Sequence, residues 1–264
     1  PIYPIEYRPT FSDSDFSSEK IKIGEKYGEI SLLPHCGNSF RKKCMKEHIY
    51  STKDKRFNTF LQDNVSDKKR KVIQRVCYAN SNKNDKWCII SQDLFTNPLF
   101  QKVEEKIKEE KVIYFDSEYI SGDRQYLYGF FHQKGTFDYI WNDNDEKQLT
   151  VSILDYIKKY PDFVFIYYNA DKKKLEDLIQ KYNMSIPSDF FNLFIDMYPF
   201  LREYCAFKNI YNFSMKSIEK VFADQGFITE TYTTRNCKNG LDSIFMFEEY
   251  KRLKDENIKK DIIE

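Results

Sequence analysis

Residues 112–118 read Val-Ile-Tyr-Phe-Asp-Ser-Glu: a compact apolar run that stops on one carboxylate and adds a second two positions later. Four consecutive apolar residues of this kind fit a strand buried on both faces, in the middle of a sheet, whose end meets solvent at Asp116. Side chains alternate along a strand, so Asp116 and Glu118 fall on one face and can hold a hard cation between them. Taken alone, Asp-x-Glu after a strand is also an ordinary start to a loop, and its surroundings decide the matter.

Those surroundings are regular. Residues 125–132 (QYLYGFFH) and 136–141 (TFDYIW), joined through Gln133-Lys134-Gly135, have the pattern of an antiparallel hairpin. A helix is expected from about Glu146 to Tyr160, stopped by Pro161, then a second buried strand over 162–168 and a helix over 171–182. Further helices are expected over 189–204, 214–222 and 241–253. Strand, hairpin, helix, strand and then helices is an α/β plan with a mixed sheet, in which 112–115 lies centrally between the hairpin and 163–168. Up to Gln101 the chain reads as irregular, with a short apolar run at 30–33, a basic helix over 64–78, a short strand at 87–90 and helical spacing over 93–111. The expected division is an N-terminal extension over 1–109, irregular with short helices, and an α/β domain over 110–264.

Composition narrows the function classes. Of 264 residues 41% are apolar and 17% aromatic, too much apolar surface for a disordered chain. The 42 basic residues against 41 acidic ones exclude a uniformly basic nucleic-acid binder while allowing a local patch, such as Lys68 to Lys71 with Arg75; that run reads equally as a solvated helix face. No stretch reaches the roughly 18 apolar residues of a membrane helix, and no leader opens the sequence. A cytoplasmic protein with reduced cysteines is expected, and the start at Pro1 rather than Met suggests a piece of something longer. The segment His35-Cys36 to Cys44-His48 carries zinc-type donors, but the gap between its cysteines is wrong for a zinc knuckle, so free thiols are expected.

Two-metal phosphoryl transfer needs carboxylates from several elements around ions about 3.5–4 Å apart. Asp116, the strand reaching Tyr168-Asn169 and the late helix carrying Asp242 can supply them. In this order, Tyr114 to Glu118, Tyr126-Leu127-Tyr128-Gly129, Tyr168-Asn169, Asn212 to Ile218 and Asn239-Gly240-Leu241-Asp242 resemble the RNase H-like domain of the DEDD 3′–5′ exonuclease superfamily. The nearest likeness is to the bacterial branch in which this domain follows a RecB-type nuclease segment.

The resemblance spans about residues 110–255 and implies an RNase H-like mixed sheet with flanking helices. It further implies hydrolysis of DNA or RNA phosphodiesters with Mg²⁺ or Mn²⁺ held by Asp116, Glu118 and Asp242. Asn169, Lys216 and Lys238 are the implied substrate contacts, although Ser214 also reads simply as a helix N-cap followed by core spacing. Two positions depart from the pattern. The second-motif carboxylate falls on Lys173, leaving Asp171 as the nearby candidate, and the water-activating His or Tyr falls on Cys237 or Lys238. The other class of function consistent with these departures is a catalytically degenerate RNase H-like module that binds nucleic acid or a protein partner.

Overall fold

The computed structural model describes residues 16–81, 86–120, 124–229, 237 and 240–263. Lys238 and Asn239, both part of the motif reading, lie outside the described residues. The chain forms two compact units, one of residues 1–94 with 200–218 and one of residues 95–199 with 219–264. In chain order the elements are helices α1 (Ser17–Tyr27), α2 (Asn38–Lys46), α3 (Phe57–Asn64) and α4 (Asp67–Ala79), strand β1 (Cys88–Ile90) and helix α5 (Pro98–Lys108). Strands β2 (Val112–Ile120), β3 (Arg124–His132) and β4 (Phe137–Trp141) precede helix α6 (Glu146–Lys158), strand β5 (Val164–Tyr167) and helix α7 (Asp171–Lys181). Strand β6 (Phe194–Asp196), helix α8 (Met197–Tyr204), strand β7 (Cys205–Phe207) and helices α9 (Met215–Asp224), α10 (Gly240–Leu253) and α11 (Glu256–Ile263) complete the chain.

The first unit is more regular than its composition suggests. Its helices bury Leu61, Ile73 and Val76, and β1 pairs antiparallel with β7. Burial of the Glu29 carboxylate is offset by Arg41, whose Nε donates to it at 2.8 Å, and by the Ser31 amide. A charge taken out of water needs such partners. All six cysteines are free thiols, and burial pushes Cys44 up to about 12.

The second unit holds a five-stranded mixed sheet in the order β4-β3-β2-β5-β6. Strand β2 is central, antiparallel to β3 and parallel to β5, as the hydrophobic pattern predicts. One face of the sheet packs against α6 and α7 around Ile113, Phe115, Tyr128, Phe130, Leu149, Ile153, Phe165 and Leu175. The other face is covered in part: α10 and α11 form a smaller cluster there with Tyr126, Leu127, Phe247 and Ile262, and Val112, Val164, Ile166 and Ile195 are buried toward β5 and β6, while Tyr114 and the β3–β4 aromatics stay half exposed. A bulge in β3 between the pairs Glu118–Leu127 and Tyr119–Gln125 turns Tyr126 toward that cluster, where its ring stacks on Phe247 at 3.9 Å.

Two expectations need correction. Strand β2 does not end at Asp116; it runs on to Ile120, because β3 pairs with it along its whole length and the half-covered outer face tolerates carboxylates within a strand. The parallel ladder to β5 does stop at Tyr114–Ile166, so β2 and β5 part just before Asp116. Secondly, 189–204 is not one helix. It contains a short 3₁₀ turn, the edge strand β6 and then α8, with Pro199 at the third helical position, where its missing N–H costs no helix bond.

Strand β6 is held by aromatic packing. Phe194 meets Phe115 at 5.6 Å and Phe165 at 5.3 Å between ring centroids and is almost wholly buried. Phe194→Ala is therefore expected to cost about 3–5 kcal/mol in urea unfolding; a loss below about 1 kcal/mol would contradict this placement of β6.

Candidate acidic site on the central strand

Asp116 and Glu118 project from the outer face of β2, and their register partners on β3 are Gly129 and Leu127. Helix α10 closes over the Glu118 end. Ser243 in its first turn donates to Glu118 Oε2 at 2.9 Å and also bonds the buried Tyr126 hydroxyl. Asp242, the neighbour of Ser243, lies in the same first turn.

The third carboxylate comes from α7. Strand β5 ends at Tyr167, and the link turns sharply at Asn169, whose φ of 72° is left-handed, a conformation Asn tolerates better than most residues. The Asn169 amide donates to Asp196 Oδ1 at 2.9 Å, and the Tyr198 amide donates to the same oxygen, so the end of β6 fixes the turn. The short link makes Asp171 the first residue of α7, buried, where it accepts from Ser117 Oγ at 2.7 Å.

The three carboxyls sense one another. Asp116 is open to solvent on one side, yet the protein crowding its other sides displaces bulk water and raises its pKa, against a hydrogen bond from the Ser117 amide. Loss of hydration, then repulsion by Asp116 and Asp171, pushes Glu118 up to about 7 in spite of Ser243. Asp171 is likewise pushed up to about 7, by burial and then by Asp116. Desolvation and like charge both disfavour the ionised form. Among the described residues no Lys or Arg pairs with any of the three.

Elsewhere the protein does supply such partners. Burial alone would raise Glu146, but Lys181, the Tyr182 hydroxyl at 2.7 Å and the Gln125 amide at 2.7 Å outweigh it and hold that carboxyl below its usual range. The lysines following Asp171 also look elsewhere. Lys172 pairs with Glu176, Lys173 with Asp177 at 2.6 Å, and Lys174 lies 4.2 Å over the Tyr119 ring.

Of the other residues picked out by sequence, Asn169 is exposed at its turn and Lys216 is exposed in the first turn of α9, at the end of the first unit. Cys237, in place of a water-activating His or Tyr, is half-buried and near enough to Tyr126 to help raise its pKa, after burial and Glu118. Sequence reasoning passed over Asp196 and Ser243. The signal for Asp196 was present: Phe194-Ile195-Asp196 repeats the apolar-run-then-Asp pattern of β2, and the following Pro199 argued against one continuous helix. Nothing in the sequence singled out Ser243.

Among the described residues, no three His, Cys, Asp or Glu side chains are already gathered closely enough to hold a metal ion. The donor chemistry nevertheless fits one: hard carboxylate oxygens on two elements, β2 and α7, with no cationic partner among the described residues.

The mixed sheet, its central Asp-x-Glu strand and the flanking helices define an RNase H-like fold. The chain belongs to the RNase H superfamily, through its RNase_H_2 family, whose model matches residues 113–264. A comparison with curated proteins finds no significant match. Among the described residues no helix is long and apolar enough to cross a membrane.

Proposed function

We propose that the second unit is a divalent-metal-dependent nuclease of the DEDD type, hydrolysing phosphodiester bonds of DNA or RNA. The observation that carries this reading is the mutual repulsion of Asp116, Glu118 and Asp171 with no compensating cation among the described residues, in a protein that pairs its comparable carboxylates Glu29 and Glu146. Asp171, not Lys173, takes the role of the second-motif carboxylate, and Asp242 in the first turn of α10 is the fourth. Bound Mg²⁺ or Mn²⁺ supplies charge neutralisation at the scissile phosphate and acidifies a water nucleophile.

The chain's own residues do the positioning. Ser243 fixes the Glu118 carboxylate and Ser117 fixes that of Asp171, so that neither turns away when the cluster is empty and repulsive. Asp116, open to solvent between them, is the group a phosphate reaches first. The early turns of α7 and α10 carry Asp171 and Asp242, and the exposed amides and dipole at a helix start favour negative charge there.

The degenerate-module reading has one specific observation in its favour, namely Cys237 where a His or Tyr would activate water. A single assay separates the two. Labelled single- and double-stranded DNA and RNA are incubated with the protein and Mn²⁺, beside Asp116→Asn. Cleavage by the wild type, reduced at least roughly 100-fold by Asp116→Asn, is the expected result, since loss of a direct ligand should exceed the 10–100-fold typical of outer positions. Binding without cleavage on every substrate would favour the degenerate module.

A subsidiary expectation concerns Ser243. Ser243→Ala removes the donor to Glu118 and the partner of the buried Tyr126 hydroxyl. It should cost about 1–3 kcal/mol in thermal or urea unfolding, and Ser243→Thr, which retains the hydroxyl, should recover most of that loss. Equal losses in the two variants would contradict a hydrogen-bonding role.

A further inference from the structure

A cavity of about 790 Å³ opens within the first unit. Its walls are α1, the turn at residues 51–53, the end of α4 and the segment 209–211. Hydrogen bonds tie these walls together. Ser51 Oγ donates to the Tyr27 carbonyl at 2.9 Å, the Thr52 amide to that of Gly28 at 2.8 Å and Lys53 Nζ to that of Lys26 at 2.9 Å. Gly28 is left-handed, with φ 67°, and a Cβ there would meet Ser51 Oγ at 2.6 Å, so a glycine lets the turn close on the end of α1. At the α4 side the Asn209 amide donates to Asn80 Oδ1. A cavity of this size between fixed walls falls in the range of small-molecule sites.

Charge is divided within it. Lys22, Lys26 and Lys53 line the cavity and are exposed, which puts them at its mouth. Leu32 and Leu33 are buried and form an apolar floor, with Glu25 and Tyr211 half-buried above it. The Tyr211 hydroxyl donates to the Glu25 carboxylate, yet burial outweighs that bond and raises the Glu25 pKa. Among the described residues no ion pair compensates Glu25. The other carboxylate of the lining, Glu29, is already neutralised by Arg41. The cavity therefore offers excess positive charge at its mouth and an under-used hydrogen-bond acceptor inside.

We propose that this cavity binds a free nucleoside monophosphate, its phosphate held by Lys22 and Lys26 and its base turned inward to Glu25. A phosphate suits compact ammonium groups on flexible stems. A carboxylate that accepts from one phenol has acceptor sites to spare, and once half-buried it gains from a ligand that brings donors. Guanine carries two adjacent N–H donors on one edge, matching the two oxygens of a single carboxylate. On the same edge adenine, cytosine and uracil alternate donors with acceptors, and an acceptor would face Glu25. GMP is therefore the preferred ligand. A plain anion would leave Glu25 unused, and a nucleoside without phosphate would leave the lysines unused. The proposal stands independently of the nuclease reading.

Isothermal titration calorimetry on the whole chain tests it, in EDTA so that no divalent ion can carry a nucleotide to the acidic cluster. The probes are GMP, AMP, CMP and UMP, with guanosine and inorganic phosphate as partial ligands. GMP should bind one to one, and every other probe roughly tenfold or more weakly. Lys22→Ala/Lys26→Ala, at exposed positions, should weaken GMP binding roughly tenfold or more with an unchanged melting temperature. Glu25→Gln, whose amide oxygen still accepts from Tyr211, should abolish the preference for GMP over AMP and leave AMP binding little changed. Asp116→Asn should bind GMP as the wild type does. Absence of saturation by any mononucleotide below about 1 mM, or GMP binding that survives both cavity variants, overturns the proposal. Phosphate bound as tightly as GMP also overturns it, reducing the cavity to a simple anion site. Loss of GMP binding in Asp116→Asn, with the cavity variants unaffected, would move the ligand to the acidic cluster and overturn it as well.

Discussion

Mn²⁺ is expected to raise the melting temperature of this protein by about 5–10 °C at pH 8 and by little at pH 5. The sign follows from the carboxyls. Unfolded, Glu118 and Asp171 titrate near 4; folded, both are pushed up to about 7 by lost hydration and by Asp116. The protonated forms therefore suit the fold better, and their contribution to stability is full below about pH 4 and lost as pH rises through about 7. The metal-free protein should melt lower at pH 8 than at pH 5 on this account, the two sites titrating together as a coupled set. A divalent ion binds the ionised cluster and must displace its protons, so its effect grows over the same interval. At a hundredfold excess over Kd the gain is about 2.7 kcal/mol, and each kcal/mol is worth about 2–4 °C at this size. Asp116→Asn should raise the melting temperature of the metal-free protein at pH 8 and abolish the Mn²⁺ response. A Mn²⁺ response independent of pH, or one that survives Asp116→Asn, would place the ion elsewhere.

The second large effect separates two positions in the first turn of α7. Asp171→Asn is expected to lower Mn²⁺-dependent cleavage at least roughly 100-fold, whereas Lys173→Ala should leave it within about twofold and change stability by no more than about 0.5 kcal/mol, because Lys173 makes an exposed helical ion pair with Asp177. Asp171→Asn should still fold, since an amide oxygen can accept from Ser117 as the carboxylate does. If Lys173→Ala were the damaging change, the second-motif role would revert to that position and the account of the β5–α7 turn would be wrong.

Why the sequence pointed to Lys173 is instructive. Spacing counted along the chain assumes a fixed connection, but here the link from β5 to α7 is only three residues and is tightened by the left-handed Asn169. On the proposed reading, Asp171 takes the second-motif role two residues earlier in sequence than the pattern expects. The central strand, its hairpin and the parallel partner were legible because period and apolar runs report burial directly. Strand β6 was not legible: Asn192 to Phe200 is apolar enough for either a helix or a strand, and the deciding interaction, Phe194 against Phe115 and Phe165, is between residues distant in sequence. The Asp116–Glu118 pair could be picked out from alternation alone. Its neighbour Ser243 could not, since a serine early in a helix signals nothing until the helix is laid across β2. The outer aromatics were visible only as strand residues; which part of that face is bare depends on where every covering element stops, on the β5–β6 side as well as at α10 and α11.

The central claim is that Asp116, Glu118 and Asp171 form one divalent-cation site. Crystals grown without metal, then soaked in Mn²⁺ at pH 8, test it through anomalous difference density. The account predicts a peak bonded to Asp116, with Glu118 and Asp171 oxygens turned toward the same density. Full Mn²⁺ occupancy at another place, with no anomalous density within about 3 Å of the Asp116 carboxylate oxygens, beyond the roughly 2.0–2.6 Å of hard-cation bonds to oxygen, would contradict it.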